Sequence, residues 1–174
     1  MKVLNIHERM LNALQKKAGA IIDSLASDND LLWPNHSWPR MEFDRPLAVG
    51  ATGGHGPIRY FVEAYTPGWS IRFRFIGPKG FEGYHGYEVI PAGDKAILRH
   101  ILEMQTRGLA IISWPLVFRP MHDALMEDSL AQAEASLGLT HTVRLWSPWV
   151  RLLRWILSGG KASKQIMPKK GDKL

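Results

Sequence analysis

Residues 59–104, RYFVEAYTPGWSIRFRFIGPKGFEGYHGYEVIPAGDKAILRHILEM, decide the fold. Tyr60, Val62 and Ala64 alternate with Phe61, Glu63 and Tyr65, and Trp69, Ile71, Phe73 and Phe75 alternate with Ser70, Arg72 and Arg74. A period of two marks a strand with one buried face. Between the two runs, Thr66-Pro67-Gly68-Trp69 has the Pro-Gly centre of a type II turn. Pairing Thr66 with Trp69 predicts Ala64 opposite Ile71, Val62 opposite Phe73 and Tyr60 opposite Phe75 on an apolar face. Glu63 then faces Arg72 and Phe61 faces Arg74 on the other. Gly77-Pro78-Lys79-Gly80 and Pro91-Ala92-Gly93-Asp94 turn the chain twice more, which implies an antiparallel meander of at least four strands. A two-residue loop at Ala92-Gly93 sets His85 opposite His100 and Tyr87 opposite Leu98, so two histidines meet on the inner face. Strict two-residue pairing across Gly77 to Gly80 instead turns Glu82, Tyr84 and Gly86 inward, and one bulge is needed to reconcile the turns.

On the N-terminal side, Val3, Leu4, Ile6 and Met10 suggest a first strand, and Gln15 to Leu25 places Ala18, Ile21, Ile22 and Leu25 at helical spacing. Asp28 to Pro46 contains Pro34, Pro39 and Pro46 and reads as a connector with one helical turn at most. Its Trp33 and Trp38 are large enough to plug one end of a core. The cluster Gly50, Gly53, Gly54 and Gly56 lacks the spacing and the following helix of a phosphate-binding loop.

After the meander, a long helix is expected from Pro115 or Pro120 to Gly138. On a helical wheel Met121, His122, Leu125, Met126, Ser129, Leu130, Ala133 and Leu137 share one half, while Asp123, Glu127, Asp128 and Glu134 share the other. His122 and Ser129 lie near the middle of the apolar half, where a polar group needs an internal partner or a wet cavity. His122 has three readings: a core histidine bonded to a carbonyl or an aromatic neighbour, a ligand contact, or an acid or base working near neutral pH. His100 is the second catalytic candidate.

The formal charge of +6 is unevenly spread. Residues 1–140 hold 14 basic and 15 acidic side chains, whereas residues 141–174 hold eight basic ones and a single Asp172. The basic character therefore belongs to the C-terminal fifth, and a nucleic-acid-binding domain is not expected. With no cysteine there is no disulfide, thiolate metal site or Cys nucleophile. No His-x-x-x-His pair or facial-triad spacing is present, and neither a metal nor a cofactor is expected. The first ten residues lack a secretory layout, which makes the cytoplasm the expected location.

From Val143 to Leu157 a second helix is expected, with Arg144, Arg151 and Arg154 on one arc and mostly apolar residues elsewhere. It is too short to span a bilayer. Either Trp146, Trp149, Trp155, Arg151 and Arg154 contact an anionic membrane surface, or the apolar side packs on the domain or on a second subunit of a homodimer. The expected division is a ligand-binding domain over 1–139, an amphipathic helix over 140–160 and a basic disordered tail over 161–174.

Leu32-Trp33-Pro34, Gly53-Gly54-His55-Gly56-Pro57-Ile58-Arg59-Tyr60, Gly80-Phe81-Glu82-Gly83-Tyr84-His85 and Arg119-Pro120-Met121-His122-Asp123-Ala124-Leu125 resemble a bacterial branch of the SRPBCC superfamily. That superfamily includes the START lipid-transfer domains, the birch-pollen-allergen-like proteins and the polyketide cyclases. The resemblance spans roughly residues 2–138 and implies an α+β helix-grip fold, a curved antiparallel sheet wrapped around a long C-terminal helix. It also implies a deep cavity for an apolar small molecule such as a lipid or polyketide-like metabolite. The superfamily has no universal active-site signature, so the site residues come from the chain itself. Tyr60, Phe73, His85, His100, His122 and Ser129 are the expected ligand contacts of a carrier. The alternative is a cyclase or dehydratase-like enzyme in which His122 or His100 moves a proton.

Overall fold

Seven strands form one antiparallel sheet in the order β1-β7-β6-β5-β4-β3-β2. They are β1 (Lys2–Leu11), β2 (Glu42–Phe43), β3 (Thr52–His55), β4 (Ile58–Thr66), β5 (Ser70–Gly77), β6 (Phe81–Ala92) and β7 (Lys95–Thr106). Helix α1 (Gln15–Asp23) follows β1. After β7 the chain is helical from Ala110 to Ser136, as α2 (Ala110–Ser113), a wide π turn (Trp114–Phe118) and α3 (Arg119–Ser136). A last helix, α4, covers Pro148–Leu157. This computed structural model describes residues 1–161 and 165. Most of the segment expected to be a basic tail lies outside the described residues. The sheet and the long helix make the expected helix-grip α+β architecture.

The meander forms, with two corrections to its register. The turn between β4 and β5 is one residue longer than a tight hairpin, so Thr66 pairs with Ser70 and Ala64 with Arg72. A bulge between Val62 and Ala64 absorbs the extra residue and restores the expected Val62–Phe73 and Tyr60–Phe75 pairs. As a result Glu63 accepts from Arg74 Nε at 2.8 Å rather than meeting Arg72, and Arg72 lies over the Tyr84 ring instead. The β6–β7 loop is Gly93-Asp94, not Ala92-Gly93, because Ala92 pairs with Lys95. Tyr87 is therefore opposite His100, and His85 is opposite Leu102. The conflict over which β6 residues face inward is settled without a bulge in that ladder. Phe73 pairs with His85 and Arg74 with Tyr84, which leaves Phe81, His85, Tyr87 and Val89 buried.

The helical run begins earlier than the prolines suggest. In the π turn the Arg119 N–H donates to Trp114 O, one residue beyond the α register. Pro120 has no N–H for Leu116 O. That carbonyl instead accepts the Trp149 indole N–H at 2.8 Å.

The acidic half of α3 is not turned to water. Strand β1 points Asn5, His7 and Arg9 inward and leaves Leu4, Ile6 and Met10 exposed, the reverse of an ordinary half-buried strand. The inward polar residues meet the helix acids: Asn5 and His7 meet Asp123, His7 meets Glu127, and Arg9 bridges Glu127 and Glu134. Asp128 is also buried, at 8% exposure, under the C-terminal segment. Its Oδ2 accepts the indole N–H groups of Trp38 at 2.7 Å and Trp146 at 2.8 Å. Its Oδ1 accepts Gln165 Nε2 at 2.6 Å.

Candidate ligand cavity

The inner face of the sheet, the long helix and α4 enclose a cavity of about 600 Å³, a volume that suits a small-molecule site. The alternating strands put Phe75, Phe81 and Leu102 on its wall, and the helical run adds Trp114, Met121 and Leu125. Trp33 and Trp38, expected to plug one end of the core, are buried and also line the cavity, and Leu157 and Ser158 reach it from the end of α4. Leu157 is also 62% exposed, so α4 stands at the mouth.

Polar side chains on this wall are few: His55, His85 and His122, with Arg154 and Ser158 near α4. The imidazoles belong to a longer series. His55 Nδ1 is 3.0 Å from the Tyr60 hydroxyl, and His85 Nδ1 is 3.4 Å from His100 Nε2. The His100 ring is 5.1 Å from that of His122, which is 5.8 Å from that of His7. Burial holds the imidazoles near the cavity neutral, because it disfavours the charged form. His55 is lowered to about 3, and His85 and His100 lie well below the ordinary histidine value. Burial also lowers His122, against the opposing pull of Asp123. His7 differs. Burial would lower it, but hydrogen bonds and charge from Asp123 and Glu127 prevail and raise it to about 9.

Among the described residues, several buried ring nitrogens have no hydrogen-bond partner: His85 Nε2, His100 Nδ1 and both nitrogens of His122. Buried polar atoms are normally paired, so these nitrogens are available to a bound molecule or ion. Among the described residues, His7, His122 and Asp123 form a group whose potential metal-donor atoms all lie within 4.8 Å of one another.

The expected contacts divide into two layers. His85 and His122 lie on the cavity wall. Tyr60, Phe73, His100 and Ser129 sit behind it, each almost fully buried. Tyr60 and Phe73 pack on the His85 ring, and His100 supports both His85 and His122. The Ser129 hydroxyl exchanges a hydrogen bond with Tyr87 at 2.8 Å and donates to Leu32 O at 3.1 Å, which places it in the core. His55, Trp114 and Met121 are wall residues that sequence reasoning did not single out. His55 stood only in the quoted glycine-rich motif, and Met121 only on the apolar half of the wheel and in the quoted Arg119–Leu125 motif.

The residues expected to face a membrane are also divided. Helix α4 starts at Pro148 rather than Val143, capped by Ser147, whose side chain accepts the Val150 N–H; Arg144 thus falls outside it. Trp146 is 4% exposed and buried against Trp38. Arg154 stacks its guanidinium over both indoles at 4.2 and 4.3 Å and donates to Ser37 O. Arg151, Trp149 and Trp155 remain exposed. No helix among the described residues is long and apolar enough to cross a membrane.

No family model matches the chain, and no curated protein matches it. Similarity is found among solved structures. A Thermobifida fusca protein solved by NMR superposes with a TM-score of 0.62 at 12% identity, covering 81% of this chain and 99% of its own. CalU16 from Micromonospora echinospora gives 0.56 at 12%, covering 90% and 92%. Norcoclaurine synthase from Thalictrum flavum, in complex with dopamine and hydroxybenzaldehyde, gives 0.54 at 16%, covering 73% and 86%. These structures share the helix-grip α+β architecture of this chain. At these identities the similarity establishes the architecture alone and leaves the chemistry to the residues described above.

Proposed function

We propose that this helix-grip domain is of the SRPBCC type, binds an apolar small molecule between the sheet and the long helix, and carries it at an anionic membrane surface. The observation that supports this most is the 600 Å³ cavity, with aromatic and aliphatic walls and imidazoles at a few points. His85 and His122 offer unpaired nitrogens to a polar group on the cargo, while Phe75, Phe81 and Leu102 hold its apolar body. The membrane part rests on the mouth. Trp155, Ile156 and Leu157 of α4 are exposed there, and the C-terminal fifth carries the excess positive charge.

The test is native mass spectrometry of the gently purified chain, followed by organic extraction. A stoichiometric apolar adduct is expected, reduced in Leu102→Trp, which fills the cavity. Adduct retention unchanged in that variant would overturn the cavity reading. For the membrane part, flotation with anionic but not neutral vesicles is expected, weakened by Trp155→Ser; equal flotation with both would refute it.

A second reading, a cyclase or dehydratase-like enzyme, is favoured by one feature. His122 and His85 lie on the wall as neutral imidazoles with unpaired nitrogens, and a neutral imidazole can accept a proton from a carbonyl substrate. Turnover lost in His122→Gln with binding intact would move the assignment to this reading.

A further inference from the structure

We propose that His7, His122 and Asp123 form a site for one divalent transition-metal cation at the seam between β1 and α3. The donor atoms are His7 Nε2, His122 Nδ1 and Asp123 Oδ1. His7 Nε2 lies 3.2 Å and His122 Nδ1 3.6 Å from that carboxylate oxygen. Donors held at 2.0–2.2 Å from a common tetrahedral centre stand about 3.4 Å apart, so both separations match co-ligation. A separation of 3.6 Å is too long for a hydrogen bond, and His122 indeed makes none through either ring nitrogen, although its side chain is only 14% exposed.

The surroundings are those of a metal-binding histidine. Glu127 Oε1 is 3.0 Å from His7 Nδ1. This leaves Nε2 as the ligating atom and provides the outer carboxylate that such imidazoles normally have. Asn5 Nδ2 donates to Asp123 Oδ1 at 2.8 Å, which fixes the third donor. Charge favours a cation as well. The seam brings together Asp123, Glu127 and Glu134 against Arg9 and His7, with Arg119 3.7 Å from Asp123 at the exposed rim. With neutral imidazoles, Arg9 and Arg119 offset two of the three carboxylates and leave one negative charge for a cation.

Two imidazole nitrogens and one carboxylate oxygen suit zinc, cobalt, nickel or ferrous iron, not the all-oxygen shells of calcium or magnesium. Three protein donors leave at least one position for water or another ligand. His122 is shared with the cavity wall, so the ion would sit beside the cargo space, but its binding does not depend on any cargo. The competing occupant is a proton on His7, held between Asp123 and Glu127.

The test is a titration of the chelator-treated full chain with Co²⁺, followed by ligand-field absorption, with Zn²⁺ competition measured by calorimetry. Saturable binding near one equivalent is expected. His122→Gln, which removes no hydrogen bond, should keep the fold by circular dichroism and lose Co²⁺ binding. Glu127→Gln should weaken binding about 10- to 100-fold, and His36→Ala, at an exposed position, should leave it unchanged. Absence of saturable binding, or His122→Gln binding Co²⁺ like the parent, would overturn the site and leave the proton as occupant.

Discussion

Replacing Asp128 by alanine tests whether the C-terminal segment is part of the domain. The carboxylate is buried and accepts from Trp38, Trp146 and Gln165 at 2.6–2.8 Å, with Arg154 over both indoles. Hydrogen bonds to a charged group contribute about 1.5–3 kcal/mol each, and an abandoned buried donor costs about 1–3 kcal/mol. Removing the acceptor strands two indole N–H groups, while the desolvation of the carboxylate itself is relieved. The net expectation is a loss of about 3–5 kcal/mol. Asp128→Asn keeps one oxygen for the indoles, and an amide can meet Gln165 after a flip, so about 1–2 kcal/mol is expected there. Urea unfolding followed by far-ultraviolet circular dichroism gives the free energies. Limited proteolysis reads the extended segment 140–147, which should be cut faster in the alanine variant. If Asp128→Ala lies within about 1 kcal/mol of the parent, the carboxylate does not tie α4 to α3 and the reasoning fails.

Three further outcomes are expected. Tyr87→Phe removes the hydroxyl between Ser129 and the β6 strand and should cost about 1–2 kcal/mol in urea unfolding. Met121→Trp puts bulk into the cavity from α3, so stability should change by less than about 1.5 kcal/mol while any co-purifying adduct is lost by native mass spectrometry. For pH, His55 has a folded value of about 3 against about 6.5 unfolded. The unfolded chain therefore binds its proton first, and stability falls as pH drops below 6.5 towards 3. At pH 5 the loss from this residue is about 2 kcal/mol. His55→Gln should recover that part of the difference between urea midpoints at pH 7 and pH 5, and an unchanged difference would contradict it.

Alternation and turn residues make the meander readable in the sequence, because each strand packs one face on a single core. Turn length was less readable. Thr66 to Ser70 spans one residue more than a Pro-Gly hairpin requires, and the compensating bulge near Glu63 has no signature in side-chain type. Strand β1 was the hardest to orient, since its polar residues point inward to partners on a helix more than a hundred positions later. His7 meets Asp123 and Glu127 at separations of 116 and 120 residues, and no local spacing encodes such a pair. The same distance hid the grouping of His7 with His122 and Asp123. On α3 the wheel separated the faces correctly, but it could not show that the acidic face is covered by β1 on one side and by the C-terminal segment on the other. His122 and His85 were legible as polar residues on apolar faces, whereas the depth that put Ser129 and Tyr60 behind the wall depends on packing.

The two indoles that tether the C-terminal segment differ in what water can do for them. Trp146 donates to the carboxylate of Asp128, which is only 8% exposed, whereas Trp149 donates to Leu116 O at the surface, where solvent can take its place at little cost. Within α4 only Val150 and Leu153 are buried, and the final turn beside the mouth is largely wet. Arg154, held over the two indoles, is followed by Trp155, Ile156 and Leu157, each more than half exposed. On the proposed function, a cargo at the opening meets these exposed side chains first, while Trp38, Trp146 and Asp128 hold the rest of the segment in place.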